Sequence, residues 1–133
     1  IISEGSVYAV EYSDTVARKL LEVAESRDNI APMLADARKP GEYPLEVPEV
    51  DVVFQDISQR DQPEIFMRNT DRYLKDDGVA LLALKVRSIS SSDSPEEVLE
   101  DVRAKLEEEL EVVEVIDLEP YETEHFFIKM RKK

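Results

Sequence analysis

The chain has no cysteine, no tryptophan, a single histidine and only three glycines in 133 residues. Without cysteine there is no disulfide framework and no thiolate zinc site, so stability must come from an ordinary packed core. Long apolar runs are absent too. The longest, Val79 to Leu84, has the length of a strand rather than of a membrane span. Basic residues are scarce: 17 Lys and Arg face 31 Asp and Glu, for a net charge of −14. A protein that grips nucleic acid unaided is ordinarily basic, because phosphate neutralisation dominates its affinity. The balance points instead to a protein that does not hold nucleic acid by itself, or to one that works in high salt. Lysine is not enriched alongside glutamate, which argues against a hyperthermophile pattern.

What is present is a globular composition, 42% hydrophobic and 36% charged, at a length that suits one domain over residues 1–133. Strand and helix signals alternate. Ser6–Tyr12 reads as a strand, and Ser13 caps a helix with Asp14 in its first turn and Val16, Leu20, Val23 and Ala24 at helical spacing. Ile30–Ala35 is a second strand, placed toward a sheet edge by Pro32. The stretch 36–48 holds three prolines and one glycine and reads as a loop. Val50–Phe54 is a buried-type strand. Pro63 opens a helix carrying Ile65, Phe66, Thr70, Tyr73 and Leu74, which Asp77-Gly78 ends. Val79–Val86 is the most apolar strand and the one expected at the centre. After a polar loop, Ser94-Pro95-Glu96-Glu97 is a capping box, and Leu99, Val102, Leu106 and Leu110 form the stripe of its helix. Val112–Leu118 and Phe126–Met130 have no helix between them and should pair as an antiparallel hairpin. The pattern predicts an α/β fold with a mostly parallel sheet closed by that hairpin.

In such a sheet ligands sit at the carboxyl ends of the strands, and five chemistry-bearing residues fall there: Glu11, Asp36, Asp56, Lys85 and His125. An apolar strand ending in Glu11 just before a helix start is how a Rossmann-like sheet presents a carboxylate to a ribose. A solvated strand-end carboxylate is the plainer reading. Asp36 lies between Ala35 and Ala37. It suits an Asx turn and the approach of an adenine ring about equally. Lys85 ends the most apolar strand and loses hydration there unless a carboxylate pairs with it. Asp56, on the neighbouring strand, can do so, as a structural or a functional pair. His125 is placed in the hairpin turn, where a lone histidine is more often a bystander than a catalyst. Lys129, Arg131, Lys132 and Lys133 form a basic end that is either a fraying tail or a phosphate contact.

Taken together, Val10-Glu11-Tyr12-Ser13, Leu34-Ala35-Asp36-Ala37, the run from Val50 to Gln59, Leu84-Lys85-Val86-Arg87-Ser88-Ile89, and Leu118-Glu119-Pro120-Tyr121-Glu122 with His125 resemble fibrillarin, especially its archaeal forms. The resemblance implies a Rossmann-like class I S-adenosylmethionine-dependent methyltransferase. Its activity would be 2′-O-ribose methylation of rRNA, and of tRNA, within a box C/D guide ribonucleoprotein. By position, Glu11 would bind the cofactor ribose with Tyr12 beside the adenine, and Asp36 and Ala37 would meet the adenine edge. Asp56, Lys85 and His125 match three members of the family's Lys-Asp-Lys-His group, Asp56 also facing the cofactor, as Gln59 would.

The resemblance further implies a Nop-type scaffold protein, a kink-turn-binding protein, a guide RNA that selects the nucleotide, and no membrane. Its expected location is the cytoplasm of an archaeal-type cell, or the nucleolus of a eukaryotic one. The family's first catalytic lysine and its glycine-containing first strand and loop align upstream of Ile1. That first strand belongs between the strands ending at Glu11 and Asp56. The chain alone is therefore expected to bind cofactor poorly. The alternative is a non-catalytic fibrillarin-like interaction module that keeps the scaffold surface without binding cofactor. A methyltransferase acting on a small molecule fits the fold but not the Asp–Lys–His set.

Overall fold

A computed structural model describes residues 5–133. The chain divides into two compact units, one up to Pro48 and one from Glu49 onward.

In the first unit, β1 (Val7–Glu11) and β2 (Ile30–Leu34) pair in parallel, with Glu11 opposite Leu34, and α1 (Asp14–Glu25) connects them. Ser13 caps α1 as its side chain predicts, its Oγ accepting the Val16 N–H at 3.4 Å. The more buried side of α1 is Ala17, Leu20 and Ala24, whereas Val16 and Val23 are exposed. β2 pairs only with β1 among the described strands, so Pro32 leaves no partner strand without a donor. The loop that follows contains one 3₁₀ turn, Pro40–Glu42.

The second unit is a four-stranded sheet built from β3 (Val50–Gln55), β4 (Leu74–Lys85), β5 (Leu110–Asp117) and β6 (His125–Lys132), in the order β3-β4-β6-β5. β3 and β4 run parallel, β6 is antiparallel to both β4 and β5, and only β6 is reversed. The apolar run at Val79–Leu84 thus lies between β3 and β6, as expected of the most hydrophobic strand. Burial alternates along it. Ala80, Leu82 and Leu84 point to the core with Phe126, Ile128 and Met130 of β6. That face is covered by Phe66 of α2 (Gln62–Tyr73) and by Val98, Val102 and Leu106 of α4 (Pro95–Leu106). Ser94 caps α4, its Oγ accepting the Glu97 N–H at 3.2 Å.

Several boundaries differ from the sequence reading, and four of the differences bear on the core or the site. Helix α2 ends at Tyr73, not at Asp77-Gly78: Leu74 is fully buried and already extended, opposite Val50. Gly78 is therefore a strand residue, and its small size serves packing. A Cβ there would lie 2.4 Å from Leu74 Cδ1 and 3.0 Å from the Asp51 carbonyl oxygen. Because Leu74 is enclosed, Gly78→Ala is expected to destabilise the protein by about 1–3 kcal/mol through overpacking, a loss that a urea melt would register. Val86, read as the strand's last residue, opens a one-turn helix, α3 (Val86–Ile89). Leu110 belongs to β5 rather than to the stripe of α4, where Val98 takes the buried place. His125 is the first residue of β6, not a turn residue.

Helices α2 and α4 are tied by an ion pair, Lys105 Nζ to Glu64 Oε1 at 2.8 Å. The other Glu64 oxygen, Oε2, is buried without a hydrogen-bond partner. Burial works to raise the Glu64 carboxyl, but the Lys105 hydrogen bond and charge outweigh it and bring the group below its ordinary value of 4.5. Lys105 is raised above 10.5, chiefly by the same hydrogen bond. A depressed carboxyl stabilises the fold above its unfolded value, and that stability is lost as pH falls through the native value. A raised amine contributes below its unfolded value and loses that contribution as pH rises through the native one. The pair therefore contributes from about pH 4.5 up to about pH 10.5. Both side chains are more than one-third exposed, so Lys105→Met should cost only about 0.5–1 kcal/mol at neutral pH. Unfolding midpoints of the variant and the wild type should converge well below pH 4.5.

Candidate active site

Parallel pairing brings the ends of β1 and β2 together in the first unit. The Ala35 N–H donates to the Glu11 carbonyl oxygen at 3.0 Å, which sets Asp36 and Ala37 just beyond the strand that ends at Glu11. The Glu11 carboxylate is aimed by its own chain: Oε1 accepts the Ser13 N–H at 3.1 Å, just before α1 begins. Among the described residues Oε2 has no hydrogen-bond partner, so one oxygen can accept a hydroxyl while the other stays anchored. Tyr12 beside it is 69% exposed, a flat apolar surface next to the carboxylate. Asp36 makes the Asx turn that its type allows, Oδ1 accepting the Arg38 N–H at 2.9 Å. Arg38 also forks onto both carboxylate oxygens, Nε to Oδ1 at 3.1 Å and Nη2 to Oδ2 at 3.1 Å. This side-chain contact, with the backbone bond second, holds the Asp36 carboxyl below its ordinary range. A ligand at Asp36 must share the carboxylate with Arg38.

The second unit gathers the other group. Asp56 follows the last residue of β3, and Lys85 is the last residue of β4. Lys85 Nζ reaches Asp56 Oδ1 at 2.8 Å and donates to Ser58 Oγ at 3.2 Å. The pair expected from the strand-end lysine thus forms, with Lys85 28% and Asp56 47% exposed. Across the sheet, Lys85 is the direct partner of His125 in the antiparallel register of β4 and β6. Such partners share a face, with their Cβ atoms about 4.5–5.5 Å apart. The His125 Nδ1 lies 2.7 Å from the Thr123 carbonyl oxygen, which can only accept. Nδ1 therefore carries a hydrogen, and in the neutral ring Nε2 is the lone-pair nitrogen, with Glu122 Oε2 4.0 Å away. Gln59 is exposed on the loop that follows Asp56.

Three parts of this arrangement are invisible in the sequence reading. Gln62, the fully buried first residue of α2, brackets the Lys85 peptide. Its Oε1 accepts the Lys85 N–H and its Nε2 donates to the Lys85 carbonyl oxygen, each at 3.3 Å. Gln55, also buried, donates to the Gln62 carbonyl oxygen at 2.8 Å. The pairing of β4 is thereby continued past the end of β3 by a side chain in place of a strand. Ser58 is the second addition. The third is Arg87, whose guanidinium is bound to Glu124 beside His125. Among the described residues, no group of three or more His, Asp or Glu could hold a metal ion.

The fibrillarin family model matches residues 1–133, the entire sequence. The chain belongs to the fibrillarin family. It is 43% identical over 129 residues to the fibrillarin-like rRNA/tRNA 2′-O-methyltransferase of Pyrococcus abyssi, a match covering 97% of this chain. The same match covers 57% of the relative, so the chain spans little more than half the length of that protein. Among solved structures, fibrillarin from a fibrillarin/Nop5p complex superposes with a TM-score of 0.94 at 42% identity, over 98% of this chain and 62% of the other. Aeropyrum pernix fibrillarin, solved with natively bound S-adenosyl-L-methionine, gives a TM-score of 0.84 at 38% identity, over 95% of this chain and 55% of that one. The fold matches these fibrillarins: α/β, with sheets of the kind found in class I methyltransferases.

Proposed function

We propose that this chain forms part of an S-adenosylmethionine-dependent RNA 2′-O-ribose methyltransferase that acts on rRNA, and on tRNA, in a box C/D guide ribonucleoprotein. The observation that carries the reading is the Asp56–Lys85 pair at 2.8 Å, set opposite His125 at the carboxyl end of β4. Both units are assigned to one methyltransferase domain. Glu11 would hold the cofactor ribose with Tyr12 beside the adenine. Asp36 and Ala37 would take the adenine edge, and Asp56 and Gln59 would also face the cofactor. The donor set fits that ligand: an anchored carboxylate with one oxygen to spare suits vicinal hydroxyls, and an exposed ring suits a flat base.

When bound, S-adenosylmethionine supplies an electrophilic methyl group on sulfur. The residues of this chain would act on the acceptor. The Lys85 ammonium, steadied by Asp56 and Ser58, donates a hydrogen bond to the 2′-oxygen and fixes its direction of approach. His125 Nε2 would accept the hydroxyl proton as the O–CH3 bond forms and the CH3–S bond breaks, its electron pair staying on sulfur, and would release the proton to solvent afterwards. Gln62 keeps the Lys85 peptide from shifting. With a net charge of −14, the chain would leave RNA binding to a Nop-type scaffold and a kink-turn-binding protein, and the guide RNA would choose the nucleotide.

The test is methyl transfer by the full-length protein, assembled with scaffold, kink-turn protein and guide RNA. The expected product is a single 2′-O-methyl group at the guided nucleotide. A substrate that is 2′-deoxy at that position should take up none. Transfer to the deoxy substrate, or no transfer to either, would overturn the reading, the latter in favour of an interaction module.

A further inference from the structure

The geometry points to Arg87 and Glu124 as positioning residues that fix the imidazole of His125 against Lys85. The inference rests on the proposed reading of His125 and adds to it the device that aims the ring. Glu124 immediately precedes His125 and has a φ of 59°, the left-handed region that glycine occupies freely and other residues occupy at a cost. A glycine would make this turn more cheaply. The residue present instead carries a carboxylate, and Arg87 engages it through both oxygens, Nε to Oε2 at 2.5 Å and Nη2 to Oε1 at 3.3 Å.

The same guanidinium is itself held. Its Nη1 donates to the Ser90 and Asp93 carbonyl oxygens, each at 3.0 Å, so it is tied to the loop between α3 and α4. The turn is fastened on its backbone as well, the Val86 N–H donating to the Glu124 carbonyl oxygen at 3.1 Å. Arg87 lies two residues after Lys85. One short segment therefore carries the lysine and grips the residue that sets the direction of the histidine. Thr123 accepts from Nδ1 and Glu122 Oε2 lies 4.0 Å from Nε2, so the ring is held between these two neighbours. A planar fork is needed because a lysine would offer a point charge and neither the bidentate contact nor the two carbonyl contacts.

The test uses the full-length protein in its guide ribonucleoprotein. Arg87→Met removes the fork and keeps the apolar stem. It is expected to lower kcat by about 10- to 100-fold, as small misplacements of catalytic groups do, with cofactor and RNA affinities unchanged. Glu124→Gly keeps the backbone turn and loses the grip, and it should behave likewise. Glu124→Gln keeps one acceptor oxygen for Arg87 but turns its amide N–H2 toward the other guanidinium N–H, so it should restore only part of the rate. Nitrogen-15 spectra of the His125 ring, assigned with His125→Gln, provide a readout independent of turnover. Arg87→Met should convert one sharp Nδ1–H tautomer into an averaged pair. Unchanged kcat together with an unchanged ring spectrum in Arg87→Met and Glu124→Gly overturns the proposal. If His125→Gln methylates at the wild-type rate, the catalytic reading of His125 falls instead, and the ring spectrum alone decides whether Arg87 positions it.

Discussion

Lys85→Ala and Asp56→Ala in the full-length protein are each expected to reduce methyl transfer by about 10²- to 10⁴-fold, the range lost when a general acid–base group or a preorganised hydrogen-bond donor is removed. On the proposed reading the two residues would act as one donor, because Asp56, 2.8 Å from the ammonium, limits where it can point. The double variant should therefore be little worse than either single one, since groups that work as a unit lose their effect together. The fold should survive. Both side chains are partly exposed, and the core cluster is built from Phe66, Leu82, Leu84, Ile128 and their neighbours, without either of them. Single-turnover rates with guided RNA, beside thermal melts, separate the two effects. Wild-type rates in both variants would show the pair to be a structural ion pair and nothing more.

Glu11→Ala is expected to weaken S-adenosylmethionine binding to the full-length protein by about 100-fold. A hydrogen bond from a ribose hydroxyl to the free oxygen of this carboxylate contributes roughly 1.5–3 kcal/mol, and a loss of about 2.7 kcal/mol corresponds to that factor. The carboxylate is oriented before any ligand arrives, because Ser13 N–H already holds Oε1. Little ordering cost then falls on binding, and the loss on removal should be close to the whole interaction. Glu11→Gln keeps one acceptor oxygen and should fall between the two. Calorimetric titration measures all three proteins directly. Equal affinity in Glu11→Ala would return Glu11 to the plainer reading of a solvated strand-end carboxylate.

Much of this arrangement is legible from strand ends. The apolar run closing on Lys85 is enough to expect an ion pair, because a lysine at such a position needs a carboxylate. The strand before Asp56 is less buried than its apolar sequence predicts, with Val52 and Phe54 about half exposed. The capping side chains of Ser13 and Ser94 are equally plain, since each acts within four residues of itself. Misreadings occurred where tertiary packing outweighed local signals. Asp77-Gly78 has the look of a helix stop, yet Leu74 is drawn into the core and the helix ends four residues before Asp77. Val86 reads as strand because it is apolar, but the pairing of β4 stops at Lys85 opposite His125. Gln62 is not legible in the sequence for a different reason. A polar residue next to a helix-opening proline suggests solvent, and only the fold shows its amide spent on the Lys85 peptide. Arg87 and Glu124 are 37 residues apart, a contact that no periodicity or local spacing announces.

The central claim is that Lys85 and His125 handle the hydroxyl of the target ribose. The position of the target 2′-oxygen in the full-length complex, determined with guide-paired RNA and a non-reacting cofactor analogue, tests it most directly. That oxygen is expected within about 2.6–3.2 Å of Lys85 Nζ or His125 Nε2, directly or through one water. A 2′-oxygen held by other residues, with both of these out of reach, would contradict the account.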